Sequence, residues 1–170
     1  MKRLIDLVLA LIAASLLLVP IVVVAVLVKL TSKGPALYLS NRVAMYNTIF
    51  KMQKFRSMKI KTPAVATHLL VDPGSVLTPV GDFLRKSSLD ELPQLWCILK
   101  GEMSFVGPRP ALFNQDDLIF LRTERGVDRL MPGLTGWAQV NGRDTLPIPE
   151  KVALDVEYME KQSIWFDMKI

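Results

Sequence analysis

One stretch constrains this chain more than any other. From Leu4 to Val28 the only charged residue is Asp6. As a helix those 25 residues would run about 37 Å, against a bilayer hydrocarbon core of about 30 Å. The run follows "MKR", as the apolar part of a secretory signal would. It is too long for one, however, and no small-residue cleavage site follows it. Pro20 lies inside the run and removes the bond its N–H would give to the carbonyl of Leu16. A free carbonyl in lipid is costly unless something satisfies it again, and Ser15 carries the nearest hydroxyl. Lys2 and Arg3 precede the run, and Lys29 and Lys33 follow it. Cationic flanks prefer the cytoplasmic side, so both ends are expected there. That predicts a helix which enters, bends at Pro20 and leaves by the same face. Its second arm, Pro20 to Val28, would be about 13 Å long, too short to cross alone. A plain spanning helix accounts for the length equally well, and the residues alone leave the two readings open.

The remainder reads as one globular piece, which divides the 170 residues into a membrane segment at 1–30 and a domain at 31–170. The formal net charge is +5; hydrophobic residues make up 51% of the chain, and the apolar excess sits in the N-terminal run. Cys97, the only cysteine, lies in "LWCILK" and suits packing in a reducing compartment. His68, the only histidine, has no cluster of ligating residues around it, so a zinc site is not expected. A nucleic-acid role is not expected either: no aromatics interleave with the basic run, and it would leave the apolar segment unexplained.

After the turn at Gly34-Pro35, "ALYLSNRV" and "TIFKMQKFRSM" read as two strands joined around "AMYN", a hairpin. The second carries Lys51, Lys54 and Arg56, with Lys59 and Lys61 just beyond. Such a run serves equally as a solvated or lipid-facing surface or as a grip on phosphate. Residues 60–80 read as loop, and "VGDFLRKS" as a short helix. In "SSLDELPQLW", Pro93 is tolerated only in a first helical turn. The helix is therefore expected to start near Asp90, with Asp90 as N-cap and Gly101 ending it. A capping box from Ser88 to Glu91 would push Pro93 past the first turn. Capping alone would explain the two acids. Downstream, "SFVGPRP" presents Arg109 between Pro108 and Pro110 on a stiffened loop. "MPGLTGWAQVNGR" reads as turns around a strand-like "WAQV", with Arg143 after a glycine. Arginines on such loops suit a bidentate grip on phosphate oxygens. The last helix is expected to open at Pro149, with Val152, Val156 and Met159 on one face. "DLIFLRTERGVDRL" suits either a membrane interface or an ordinary surface helix.

Together the N-terminal apolar segment, "KFRSM", "LRKSSLDELPQL", "GEMSFVGPRP", "PGLTGWAQVNGR" and the closing Asp155, Tyr158, Ser163, Asp167 and Ile170 resemble the bacterial sugar transferases, the monotopic phosphoglycosyl transferases. The resemblance covers nearly the whole chain. It implies an α+β fold: a re-entrant membrane helix broken at Pro20, then a small domain of amphipathic helices with a short β-hairpin. It implies an enzyme that moves a phosphosugar from a UDP-sugar to undecaprenyl (polyprenol) phosphate and releases UMP. The implied localisation is the bacterial inner membrane, monotopic, with the catalytic domain on the cytoplasmic face. The implied catalytic residues are Asp90, the nucleophile, and Glu91, with Mg2+ as cofactor held by the same two acids. Arg85, Pro108, Arg109, Pro110 and Arg143 would bind substrate, with Lys54 and Arg56 beside them. Membrane lipid is an expected partner, and a homodimer a possible assembly. The chain departs from the family pattern at Val19-Pro20, where members carry Ser-Pro. It departs also at "SNRVAMYN", which keeps Arg42 but lacks a glycine.

A cationic shell around two acids has a physical purpose in this reading. A pyrophosphate repels a bare carboxylate, and cations remove that repulsion. A glycosidase reading of the acid pair is poor, because adjacent helical residues point about 100° apart. A membrane-anchored module that binds nucleotide sugars or anionic lipid without chemistry is the competing possibility.

Overall fold

The computed structural model describes residues 1–60, 62, 63, 72, 74–142 and 145–170. The apolar run forms two helices, α1 (Lys2–Leu16) and α2 (Leu18–Thr31), bent by 63°. No single described helix is long and apolar enough to cross a membrane, whereas the bent pair together is, by length and composition. The break falls at Leu17 (φ −94°, ψ 6°), three residues before the expected Pro20. Pro20 instead occupies the first turn of α2, where its missing N–H has no partner to lose. Nor does Ser15 reach the Leu16 carbonyl: its hydroxyl donates back to Leu11 O at 2.9 Å.

The two helices are bound into the rest of the molecule. Arg3 donates to Ile98 O (2.6 Å) and Leu99 O (3.0 Å), closing the carbonyl end of α4 (Gln94–Lys100) with a positive charge. Lys2 pairs with Asp167. Asp6, the lone acid of the run, is buried and accepts bonds from Ser104 Oγ (2.9 Å) and Phe105 N (3.2 Å). Ala10 joins Phe50, Met52, Leu95, Cys97, Ile98 and Met103 in one core cluster. Val24 and Val28 join Phe55 and Leu84 in a second. The opposite faces of α1 and α2 expose Val8, Leu11, Leu16, Leu18, Val19, Val22 and Leu30.

The hairpin is present: β1 (Leu37–Val43) pairs antiparallel with β2 (Ile49–Phe55), Tyr38 opposite Lys54 and Arg42 opposite Phe50. The short helix is α3 (Gly81–Lys86). A second sheet pairs β3 (Ser104–Val106) in parallel with β4 (Gly133–Thr135). The glycines of "FVGPRP" and "PGLTG" meet here. A Cβ on Gly133 would stand 2.1 Å from Gly107 N, and one on Gly136 2.1 Å from Gly107 O. That close approach lets Gly107 N donate to Thr135 O and Gly133 N donate to Pro108 O, each at 2.9 Å.

"WAQV" is a helical turn, α6 (Trp137–Val140), and not a strand. α5 (Asp116–Glu124) packs Leu118 against Val152 of α7 (Ile148–Lys161), so it is docked on one face. Ile148 opens α7 and Pro149 is its second residue. Val152 is fully buried, and the face that contains it also buries Asp155 and Tyr158. A final short helix, α8 (Ile164–Lys169), starts at Ser163, whose hydroxyl accepts from Phe166 N at 3.1 Å. Cys97 is buried packing, and that burial raises its thiol pKa. His68 lies outside the described residues.

Candidate active site

Asp90 and Glu91 sit in a tight 3-10 turn, Leu89–Glu91. Ser88 enters it with left-handed backbone (φ 57°), which turns the chain sharply out of α3. Pro93 then caps α4, which ends at Gly101 (φ 87°), a conformation that glycine adopts without strain. The expectation of Asp90 as the helix N-cap is therefore corrected. The left-handed step at Ser88 puts the acids one turn ahead of the helix, and no side-chain cap bond forms.

This turn lies at one wall of a cavity of about 530 Å³, a volume in the range of small-ligand sites. Cations from three separate elements converge on it. Lys54 of β2 donates to Glu91 Oε1 at 2.6 Å, and Arg109 Nη2 donates to the same oxygen at 2.7 Å. Arg85, in the last turn of α3, lines the cavity and acts on Asp90 through space. Burial alone would raise the pKa of Glu91. Lys54 and Arg109 outweigh it and hold that carboxyl at about 2. Asp90, 7% exposed, is raised by burial, with Lys54 and Arg85 pulling the other way and Glu91 adding to the rise. Lys54 is lowered by burial and by Arg109, against the pull of Glu91. The two acids thus differ: Glu91 is the fixed anion that gathers the cations, and Asp90 is the less stabilised carboxylate.

The Arg109 loop is held from behind. Arg122 donates from Nη1 to Arg109 O (2.8 Å), and from Nε (2.9 Å) and Nη2 (2.7 Å) to Asp155 Oδ2. Arg122 is 8% exposed and Asp155 1%. Burial raises Asp155, and Arg122 opposes that rise. Arg42 Nη1 donates to Pro110 O at 3.0 Å, fixing the other side of the same loop.

Two expected substrate residues lie elsewhere. Arg56 touches the cavity edge, but its guanidinium is committed to Lys33 O (2.6 Å), Ser32 O (3.0 Å) and Ser32 Oγ (2.8 Å). It closes the carbonyl end of α2, because β2 stops at Phe55 and strand alternation no longer directs the next side chain. Pro108 faces away from the cavity and accepts from β4 through its carbonyl, whereas Pro110 lines the cavity. Arg143 lies outside the described residues.

Sequence reasoning passed over Arg122, Gln139 and Lys151, all of which line the cavity. For Arg122 a faint signal existed: it follows Leu118 by four residues, on the buried face of α5. Nothing in the string distinguished Gln139 or Lys151.

Among the described residues no group of three or more His, Cys, Asp or Glu side chains converges. The available donor set is the two adjacent carboxylates. That set fits a magnesium ion, which takes one or two protein carboxylates and completes its shell with phosphate oxygens and water.

The bacterial sugar transferase family model matches residues 1–170. The chain is 41% identical over 178 residues to the UDP-glucose:undecaprenyl-phosphate glucose-1-phosphate transferase of Escherichia coli (strain K12), covering 100% of this chain and 38% of that protein. It is 38% identical over 173 residues to the sugar transferase EpsL of Bacillus subtilis (strain 168), covering 100% of this chain and 83% of that protein. It is also 38% identical over 176 residues to the UDP-N-acetylgalactosamine-undecaprenyl-phosphate N-acetylgalactosaminephosphotransferase of Aeromonas hydrophila, covering 99% of this chain and 41% of that protein. The chain thus spans well under half the length of the Escherichia coli and Aeromonas proteins. With the family model matched end to end and a 38% identical Bacillus protein covered over 83% of its length, this chain belongs to the bacterial sugar transferase family.

Proposed function

We propose that this protein transfers a sugar phosphate from a UDP-sugar to undecaprenyl phosphate, with Asp90 as nucleophile. The observation that carries the reading is the arrangement at the cavity wall. A buried, understabilised carboxylate lies beside a permanently ionised one, ringed by Lys54, Arg85 and Arg109. The activities for which the Escherichia coli and Aeromonas relatives are named support the same substrate classes.

The residues suggest the following chemistry. The pyrophosphate of the donor enters the cationic ring, and each phosphate charge it brings stabilises Lys54 and Arg109 in their charged forms. An Asp90 carboxylate oxygen attacks the phosphorus that bears the sugar. The bond from that phosphorus to the bridging oxygen breaks, and UMP leaves. The protein then carries an acyl phosphate to the sugar. A phosphate oxygen of the lipid attacks the same phosphorus, and Asp90 leaves as carboxylate. The order is ping-pong, and no net proton is gained or lost by Asp90. Asp90 and Glu91 would hold magnesium, which when bound supplies neutralisation of phosphate charge. Arg109 is positioned by Arg122 behind it, so its guanidinium is delivered with little loss of conformational freedom.

The cavity also reaches Pro35, Leu37, Tyr38 and Ile60, just past the end of α2. A lipid phosphate would enter from that end, its chain lying along the apolar outer faces of the bent helix pair at the inner leaflet. The catalytic face would then sit on the cytoplasmic side, at head-group depth, as the cationic residues at both ends of the pair favour.

Incubation of the protein with UDP-sugar labelled in the β-phosphate, without lipid, tests the reading. Label should attach covalently to the wild-type chain and be discharged by undecaprenyl phosphate. Asp90→Asn should remain folded, take no label and release no UMP. Full turnover by Asp90→Asn would exclude this residue as nucleophile. UMP release that strictly requires lipid would instead favour direct transfer.

A further inference from the structure

We propose that Gln139 reads the nucleobase of the donor, at the end of the cavity farthest in chemistry from the acids. This rests on the donor being a UDP-sugar. Gln139 stands on α6 and lines the cavity, yet both its Nε2 and its Oε1 are buried with no hydrogen-bond partner among the described residues. An orphaned buried carboxamide is rare, because leaving one costs the desolvation of two donors and an acceptor. The cost is recovered when the carboxamide turns from Gly136 into the cavity and a ligand supplies the complementary edge. Uracil does so: its N3–H donates to a carboxamide oxygen while the adjacent carbonyl accepts from the carboxamide nitrogen.

The surroundings favour a base over a sugar. Ala138, directly before Gln139 on α6, and Ala111, Leu112 and Leu118 also line the cavity, giving apolar surface against which a flat heterocycle lies well. A hexose needs many polar partners, and two of the polar groups here are already committed, which leaves Lys151. Arg122 is held by Asp155 and Arg109 O, and Gln115 Oε1 accepts from Leu112 N at 2.8 Å. The chain itself links this end to the chemistry: Arg109 grips Glu91, and Ala111 and Leu112 follow directly after Pro110. A nucleotide with its phosphates at Arg109 would run its nucleoside along that segment toward Gln139. The opposite end of the cavity, at Pro35, Leu37 and Tyr38, lies beside α2 and remains for the lipid.

Equilibrium binding of UDP and of inorganic pyrophosphate to the full chain in detergent, with and without Gln139→Leu, decides the matter without requiring turnover. Leucine keeps the approximate size and removes both hydrogen bonds. The expected result is UDP binding weakened about tenfold, pyrophosphate binding unchanged, and thermal stability unchanged or raised, since no native hydrogen bond is lost. In turnover, KM for the UDP-sugar should rise while KM for the lipid phosphate stays. Unchanged UDP binding, equal weakening of UDP and pyrophosphate, or a raised lipid KM would each overturn the proposal. Should Gln139→Leu fail to fold, Gln139→Glu gives the same comparison, with UDP weakened and pyrophosphate weakened far less. A wild-type protein that binds UDP in this Gln139-dependent way but releases no UMP would uphold the inference while overturning the proposed reaction.

Discussion

Replacing Arg122 with methionine probes the wall behind the site. Arg122 places two donors on one oxygen of Asp155, at 2.9 and 2.7 Å, and both residues are almost fully buried. Arg122→Met keeps most of the apolar stem and strands a carboxylate with 1% exposure. Breaking such a pair from one side costs about 3–5 kcal/mol. For a domain of this size that lowers Tm by roughly 10 °C. The loss must depend on pH. Burial already raises Asp155, and without Arg122 it rises further. A folded pKa above the unfolded one means that stability is complete below the unfolded value and falls as pH climbs toward the folded value. Across that window each pH unit removes about 1.4 kcal/mol. Arg122→Met should therefore be distinctly less impaired at pH 5 than at pH 8, and adding Asp155→Leu should restore most of the loss. Urea or thermal unfolding in detergent micelles at the two pH values measures this. A loss under 1 kcal/mol, or one equal at both pH values, would refute the reasoning. Turnover gives a second readout: Arg109 loses its carbonyl anchor, so KM for the UDP-sugar should rise even where the variant is fully folded.

Other perturbations have equally definite outcomes. Tyr158 is fully buried, donates to Asp167 Oδ1 at 2.7 Å, and is held neutral first by burial and then by Asp167, so stability should hold up to about pH 10 and fall above it. Tyr158→Phe should abolish that alkaline fall and cost about 1 kcal/mol at pH 8, read by pH-dependent unfolding. Asp6→Leu strands Ser104 Oγ and Phe105 N and should cost about 2–4 kcal/mol; a neutral effect on Tm would show that these groups are satisfied otherwise. Gly136→Ala drives a methyl to 2.1 Å from Gly107 O and should lose about 1–3 kcal/mol together with turnover, because the Arg109 loop shifts.

Much of this was legible in the residues. Alternation and turn chemistry located the hairpin, and glycine at 101 marked the end of α4; the acid pair alone read as helix capping, and it was the family resemblance that marked it as the centre of a cationic site. The misreadings have two causes: local rules that say what a residue tolerates without fixing where an element breaks, and neighbours distant in sequence that override them. Pro20 marks a bend, but the chain breaks at Leu17, since proline fits the first turn of the helix that follows. The Ser88 to Pro93 segment obeys the proline rule, yet a left-handed residue inserts a separate turn before the helix begins. "WAQV" has strand-forming ends but only four residues, and Gly136, pressed on Gly107, sets its direction. Arg56 and Lys54 look alike as a basic pair. Only the end of β2 at Phe55 shows that one serves the acids and the other the terminus of α2. The buried Arg122 left only a faint signal, its spacing of four from Leu118, because charge in an amphipathic stretch reads as surface.

The way the N-terminal helix pair docks on the rest of the molecule has a consequence of its own. Ala10 and Val28, each with no exposed surface, are shared property of the greasy helix pair and the body it carries, and Arg3 and Asp6 pin the two together. The protein therefore has no detachable water-soluble half. Stripping away the first thirty residues would lay bare Phe50, Met52, Leu95 and Ile98 and invite clumping. By the same token, if the pair lies in lipid as proposed, the height of the cleft above the bilayer would be built in, as a keel sets the waterline of a hull.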